Sequence, residues 1–418
     1  MEEWRTVFYH AMNMFNVLIV SYFFLANGTY TLLMVISLGS VWLHNRRLLY
    51  QGLDAIRESA VTPPCTILVP AWYSQLKPIK GIYANPRITN LLVISKVNGG
   101  KPDALNMGIN MCRTPYFCTL DADCLLERDA LLRLMRPIVR SPINTVASGG
   151  IVRILNGCDV QEGRVVKVNL PKTAIERFQV VEYLRSFLFG RTGWNLLGGT
   201  LIVSGAFAVF HRETVVETGG FLHDTVTEDM DLIVQIHRWA IHHKRKIKMN
   251  FTSDPVCWTE CPAHMGMLGR QRRRWQMGLC QTLWKSSEML FNSRYGVIGM
   301  MSFPFHLYVE ALGSVVEFVG YFMVPLALFF GMVPVPLFIL FVILSLVYGS
   351  FLSVGSVLLE ELTYRRYPGF RDLIILLGYA VIENLGYRQV VLYYRVQGVF
   401  KFVAGFRQWE KVTHVGAG

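Results

Sequence analysis

Residues 12–43 read MNMFNVLIVSYFFLANGTYTLLMVISLGSVWL, a run without one charged side chain. A helix that crosses a bilayer needs roughly 20 such residues. This stretch therefore constrains the fold more than any other. It is too long for a signal peptide, with no basic segment before it and no cleavage site after it, so a retained anchor is expected. Apolar residues gather again at about 297–359, and more weakly after Arg371. Between these blocks the composition is that of an ordinary soluble domain. The expected organisation is an anchor at 1–45, a cytoplasmic domain at 46–295, a membrane block at 296–405 and a cytoplasmic tail at 406–418. The third apolar stretch, 372–404, is interrupted by Glu383, Arg388 and Arg395. It reads as a re-entrant hairpin or surface helix in preference to a short span.

The net charge is +12, from 41 Lys and Arg against 29 Asp and Glu. The basic residues flank the apolar blocks: Arg46 and Arg47; Arg270, Arg272, Arg273 and Arg274; Arg365, Arg366 and Arg371; Arg395, Lys401, Arg407 and Lys411. Such flanking charge marks the cytoplasmic side of a membrane. It argues against nucleic acid as a partner, because no separate basic stripe is formed. The eight cysteines fall in the cytoplasmic part, where disulfides are not expected. CWTEC (257–261) has no second half that would complete a zinc site.

In the middle domain, CTILVPAW reads as a buried strand, NLLVISK as another and YFCTLDADC as a third that ends in two aspartates. KPDALNMGINMC is a helix with Pro102 in its first turn. ERDALLRLMRPIV is a helix expected to stop near Pro137, and TVASGGIVRIL is a further strand. Residues 174–191 form a long amphipathic helix. LIVSGAFAVFHRETVVETGGF reads strand, turn, strand, helix start, with a stop at Gly219 and Gly220. VTEDMDLIVQIHRWAIHH is a helix whose first turn holds Thr227, Glu228 and Asp229. Strands alternating with helices predict an α/β fold with a doubly wound, mostly parallel sheet, and ligands bind beyond the carboxyl ends of its strands.

Three clusters carry chemistry. Asp121 and Asp123, read as extended chain, point to one side and repel each other unless a cation lies between them. Mg²⁺ takes such oxygen ligands and shares them with substrate phosphates; the plainer reading is a turn or a helix cap. In TED, a carboxylate near an attacking hydroxyl serves as general base. The plainer reading is a capping box, Thr225 with Glu228, which leaves Asp229 unexplained. In QRRRW (271–275) arginine forks suit a diphosphate and Trp275 offers a face for a sugar. The plainer reading is a basic cluster on lipid headgroups.

The order of these clusters matters: an aspartate pair at a strand end, then SGAF, TED, QRRRW and apolar spans. In this the chain resembles the membrane-embedded family 2 glycosyltransferases, which include hyaluronan, cellulose, chitin and poly-N-acetylglucosamine synthases. The resemblance covers 66–275 and the flanking apolar layout, and GGKPDALN (99–106) belongs to it. It implies a GT-A domain with a Rossmann-like sheet, a UDP-sugar donor and a divalent metal, Mg²⁺ or Mn²⁺. Asp121 and Asp123 would be the DxD motif, with Asp123 the direct metal ligand and Asp121 nearer the nucleotide. Lys101 would lie beside the nucleotide. Asp229 would be the base, flanked by Thr227 and Glu228. Ser204 and Gly205 would line the acceptor end. Gln271, Arg274 and Trp275 would hold the diphosphate and the acceptor sugar. QxxRW is associated with processive members, so the resemblance implies an inverting, processive exopolysaccharide synthase of the inner or plasma membrane that exports its product. Few spans are visible, so a homo-oligomer or an accessory translocation partner is expected to complete the channel. Single addition to a lipid or lipid-linked acceptor and a non-catalytic membrane scaffold of the same fold are the competing functions.

One departure stands out. After PAW the family has a helix, a strand, an aspartate-rich uridine-binding turn and more chain. Here YSQLKPIKGIYANP follows at once and looks like a much later linker. Several dozen residues of the pattern have no counterpart between Trp72 and Tyr73. Either a stretch has been dropped and the numbering closed over it, or the deletion is real and UDP binding is weakened.

Overall fold

The computed structural model describes residues 2–50, 62–69, 77–367 and 369–406. Trp72 and Tyr73, where the family pattern breaks off, lie outside the described residues. The uncharged N-terminal run is one helix, α1 (Glu2–Tyr50). Short β1 (Cys65–Leu68) follows, then β2 (Ile79–Asn85) and β3 (Ile88–Lys96). The remaining elements of the central domain are α2 (Lys101–Met111), β4 (Tyr116–Leu120), β5 (Cys124–Leu126), α3 (Ala130–Arg140), β6 (Thr145–Ile154), β7 (Asp159–Gln161), β8 (Arg164–Lys167), α4 (Ala174–Tyr183), a π-helical segment Leu184–Arg191, α5 (Thr192–Leu196), β9 (Phe207–His211), α6 (Arg212–Glu217), α7 (Glu228–His242), β10 (Lys248–Thr259) and α8 (Met265–Lys285).

The six-stranded sheet has the order β1-β4-β9-β6-β10-β5. β1 and β4 pair in parallel, as do β6 and β10, while β9 and β5 run antiparallel to their neighbours. Four of the six strands thus share one direction, giving the mixed, mostly parallel sheet of a GT-A-like α/β fold. Phe117, Phe207 and Phe210 fill its interior.

Several expectations are corrected. NLLVISK is not a strand of this sheet. It lies in β3 and pairs antiparallel with β2, with Ile94 opposite Ile82 and Val93 opposite Tyr83. Val93 is 52% exposed. The expected linker IKGIYAN is therefore itself a strand. A parallel neighbour needs a crossover of a dozen or more residues, whereas Pro86 and Arg87 suffice for a hairpin, with Asn85 Oδ1 accepting from the Arg87 amide at 2.8 Å. Residues Leu201 to Ser204 form no strand either. Val203 is buried by packing its side chain on Gly149 of β6, where a Cβ would collide. α3 does not stop at Pro137 but runs to Arg140. The proline removes one backbone bond there, and burial of Met135 and Ile138 on either side of it outweighs that loss.

Beyond α8, π-helical segments Ile298–Ser302 and Phe305–Ala311 lead into α9 (Gly313–Phe329), followed by α10 (Val335–Thr363), α11 (Phe370–Ile382) and α12 (Tyr387–Val403). Among the described residues three stretches are long and apolar enough to cross a membrane: Tyr9–Leu43, Ile298–Phe329 and Val335–Thr363. At 1.5 Å per residue, the 13 residues of α11 and 17 of α12 are each too short to cross a core about 30 Å thick. The candidate spans and the short helix α11 are not a separate body. Val41, Val357, Leu376 and Ala380 share one core with Ile151, Val180 and Trp258 of the central domain. Arg153 of β6 meets Glu360 of α10 at 2.5 Å with both side chains buried.

Candidate active site

β4 ends at Leu120 and the chain turns. The amide of Cys124 donates to the Asp121 carbonyl at 3.1 Å. Asp121 and Asp123 thus sit in a turn, not in the extended chain expected, and both still face the same cavity.

GGKPDALN resolves into separate anchors. Gly100 precedes α2 with φ of +107°, a conformation that favours glycine. This turn delivers Lys101 to the site, where Nζ lies 2.6 Å from Asp121 Oδ1 and 3.3 Å from Glu228 Oε1. Buried Asp103 receives Lys96 Nζ at 2.7 Å, which ties the end of β3 to α2. The Asn106 side chain donates to the Phe221 carbonyl at 2.8 Å and accepts from the Phe221 amide at 2.9 Å. It so holds the loop that leads into TED.

The capping box expected at TED does not form. Thr227 is the residue before α7, no side chain caps the helix, and the Thr225 and Thr227 hydroxyls have no partner among the described residues. Glu228 turns instead to Lys101. Burial raises the Glu228 pKa against the opposing pull of Lys101. For Lys101, burial lowers the pKa, but Asp121 and Glu228 outweigh it and the ammonium is held charged. Asp229 is fixed differently: its Oδ2 accepts from the Gly205 amide at 2.9 Å and its Oδ1 from the Met230 amide at 2.9 Å. The SGAF turn therefore aims Asp229, and Ser204 and Gly205 line the cavity beside it.

α8 carries Gln271, Arg274 and Trp275 to the same wall. The headgroup reading fails for Arg272, which is 3% exposed. Its Nη2 donates to Glu182 Oε2 at 2.7 Å, and Tyr387 also donates there at 2.7 Å. Its guanidinium lies 4.4 Å from the Trp275 ring, so the pair braces the tryptophan. One residue on, Gln276 donates to the carbonyls of Glu310 and Ala311 at 3.2 and 3.1 Å and accepts from Arg395 Nε at 2.9 Å. This joins α8 to the π-helical start of the second candidate span. Further along α8, Gly278 lets Thr227 pack directly on the helix.

Glu182, Arg191 and His306 also line the cavity and were not singled out from the sequence. The available signal was charge inside an apolar helix, Glu182, Arg185 and Arg191 among Tyr, Leu and Phe.

The cavity that the lining residues named above share has a volume of about 1820 Å³. It runs from Lys101, Asp121 and Asp123 past Asp229 and Trp275 to Tyr22, Tyr30, Tyr321 and Phe341 on the three candidate spans. Asp121 and Asp123 offer oxygen donors of the kind a hard divalent cation takes. Among the described residues no group of three or more His, Cys, Asp or Glu side chains is placed to hold a metal. Two carboxylates fit a cation that takes its other ligands from phosphate and water.

The family described as glycosyltransferase like family 2 matches residues 76–278, and the chain carries a family 2 glycosyltransferase domain there. Among curated proteins the chain is similar to the poly-beta-1,6-N-acetyl-D-glucosamine synthase of Staphylococcus aureus strain COL, 25% identical over 210 residues, which are 50% of this chain and 44% of the relative. The synthase of the same description from Staphylococcus epidermidis strain ATCC 35984 is 26% identical over 183 residues, 44% of this chain and 39% of the relative. The matched region spans less than half the length of these relatives. Among solved structures the chain is similar to the mannosyltransferase PcManGT from Pyrobaculum calidifontis in complex with GDP-Man and Mn²⁺. The TM-score is 0.46 at 15% identity, covering 90% of this chain and 99% of that one.

Proposed function

We propose that the chain is an inverting, processive glycosyltransferase that extends a polysaccharide from a UDP-sugar and passes the product across the membrane. The observation that supports this best is the single cavity that joins the carboxylate and lysine cluster to the membrane helices. In this reading a polymer leaving Trp275 enters the part of the cavity lined by Tyr22, Tyr30, Tyr321 and Phe341. The names of the relatives make UDP-N-acetylglucosamine the first donor to test.

In this reading the acceptor hydroxyl attacks the anomeric carbon of the donor. The bond to the diphosphate breaks, UDP departs with the electron pair, and Asp229 takes the hydroxyl proton. The Gly205 amide keeps the receiving carboxylate aimed. Lys101, Gln271 and Arg274 face the diphosphate and offset its growing charge. Asp123, with Asp121 beside it, would hold the divalent metal together with diphosphate oxygens, and bound there Mg²⁺ or Mn²⁺ supplies further charge stabilisation. Asp121 is the counter-charge to Lys101, so the direct ligand role falls to Asp123. Trp275 and Ser204 line the acceptor sugar. The domain lies on the cytoplasmic face with the three candidate spans in the bilayer, and a second copy or an accessory protein completes the channel wall.

The test is the full chain in nanodiscs with a panel of UDP-sugars, scored for UDP release and product mass. Metal-dependent UDP release with a polymer product, both abolished in Asp229→Asn, supports the reading. A product carrying one sugar on a lipid selects single addition. Absence of UDP binding by calorimetry would leave only a scaffold.

A further inference from the structure

Arg191 is the last residue of the π-helical segment Leu184–Arg191 and lines the cavity together with Asp229, Trp194 and His306. π-helical turns occur often at functional sites, where they redirect a side chain. Three other arginines of this wall have carboxylate partners: Arg272 pairs with Glu182, Arg185 with Glu383, and Arg395 with Glu310. Arg191 has none among the described residues, and its buried Nη1 meets no hydrogen-bond acceptor there. Its guanidinium lies 3.9 Å from the Phe187 ring, which positions it without satisfying its donors. Burial pulls its pKa down to about 10, against a smaller opposing pull from Asp229. A buried, unpaired charge is costly unless something supplies the missing partner.

The neighbours indicate what that partner is. Trp194 packs against Phe305 with ring centroids 5.2 Å apart and faces His306 at 6.1 Å, forming an aromatic wall of the kind that borders a sugar. A guanidinium only donates, so it is best met by an oxygen that only accepts. An amide carbonyl does so, whereas a hydroxyl brings a proton of its own that needs placing. A carboxylate ligand would be repelled by Asp229 and Glu228, which line the same cavity.

We propose that Arg191 binds the acyl oxygen of an N-acylated acceptor sugar, beside the hydroxyl addressed by Asp229. This rests on the glycosyltransferase reading above and assigns acceptor choice to one residue.

The test is calorimetric titration of the full chain in nanodiscs, without donor. The probes are a β-1,6-linked N-acetylglucosamine tetrasaccharide and the glucose tetrasaccharide of the same linkage. Loss of a charged hydrogen bond corresponds to about tenfold or more in affinity. The wild type should prefer the acetylated probe by that factor. Arg191→Gln should bind the two alike, with UDP affinity unchanged and a thermal midpoint no lower than that of the wild type, and in turnover should raise the acceptor KM more than it lowers kcat. Equal binding by the wild type, binding of neither probe, or a preference that persists in Arg191→Gln overturns the proposal. Should Arg191→Gln fail to fold, Arg191→Lys decides: a preference reduced severalfold supports it, and an unchanged one overturns it. Absence of UDP release with every donor, alongside an intact preference in binding, refutes the glycosyltransferase reading instead.

Discussion

The backbone amide of Gly205 donates to Asp229 Oδ2 at 2.9 Å, which joins the SGAF turn to the first turn of α7 across 24 residues of sequence. A Cβ on Gly205 would meet Asp229 Cβ and Oδ2 at 3.0 Å, closer than ordinary contacts. Gly205→Ala should therefore displace the Asp229 carboxylate by a few tenths of an ångström. The expected result is a kcat reduced about tenfold with a nearly unchanged thermal midpoint. Asp229→Asn should abolish turnover and leave UDP affinity intact.

Glu228 serves Lys101 and not the end of its helix. Glu228→Gln should slow turnover and cost less stability than Glu182→Gln, because Lys101 keeps Asp121 at 2.6 Å as its counter-charge. Lys101→Met removes the cation shared by Asp121 and Glu228. It should lower UDP affinity in calorimetry far more than Glu228→Gln does. Equal loss of UDP affinity in the two variants would contradict this assignment.

Trp275 is placed by the ion pair behind it. Glu182→Gln leaves Arg272 buried without its carboxylate, a change that costs about 3–5 kcal/mol when a buried pair is broken. The variant should melt earlier, and its acceptor KM should rise more than its donor KM. Unfolding monitored by circular dichroism and steady-state kinetics measure the two effects separately.

His237 gives a pH signature outside the catalytic groups. Burial lowers its pKa from 6.5 to about 4, and its Nε2 faces the Thr200 carbonyl at 3.0 Å. Folded chain then binds fewer protons than unfolded chain between those values, so stability is full above about 6.5 and falls as pH drops towards 4. The thermal midpoint should decline across that window, and His237→Gln, which does not titrate, should flatten the decline.

Metal removal separates the two aspartates. Chelation by EDTA should stop UDP release, and Mg²⁺ or Mn²⁺ should restore it. Asp123→Asn should raise the half-saturating metal concentration more than Asp121→Asn, because Asp121 already carries Lys101 at 2.6 Å. Equal shifts would place both carboxylates on the metal.

Much of the domain could be read locally. The apolar strand before Asp121, the helix opened by Lys101 and Pro102, and the helix that begins with TED all follow from patterns within about a dozen residues, where backbone propensity and burial of one face decide. The apolar runs announced the candidate spans by length and composition. Local reading failed where distant chain competes. NLLVISK has the composition of a buried sheet strand, yet β2 lies nearer along the chain and captures it. Thr225 and Glu228 have the spacing of a capping box, yet Lys101, more than a hundred residues earlier, attracts the glutamate more strongly.

Sequence by itself determined which side chains this chain brings to chemistry, because strand ends, turns and apolar spans are written in short windows of residues. Tertiary structure alone decided what those side chains meet. The Gly205 amide on Asp229, Glu182 behind Arg272 and the unpaired guanidinium of Arg191 on the shared cavity wall arise from packing between segments far apart in the chain, and such contacts leave no periodicity to read.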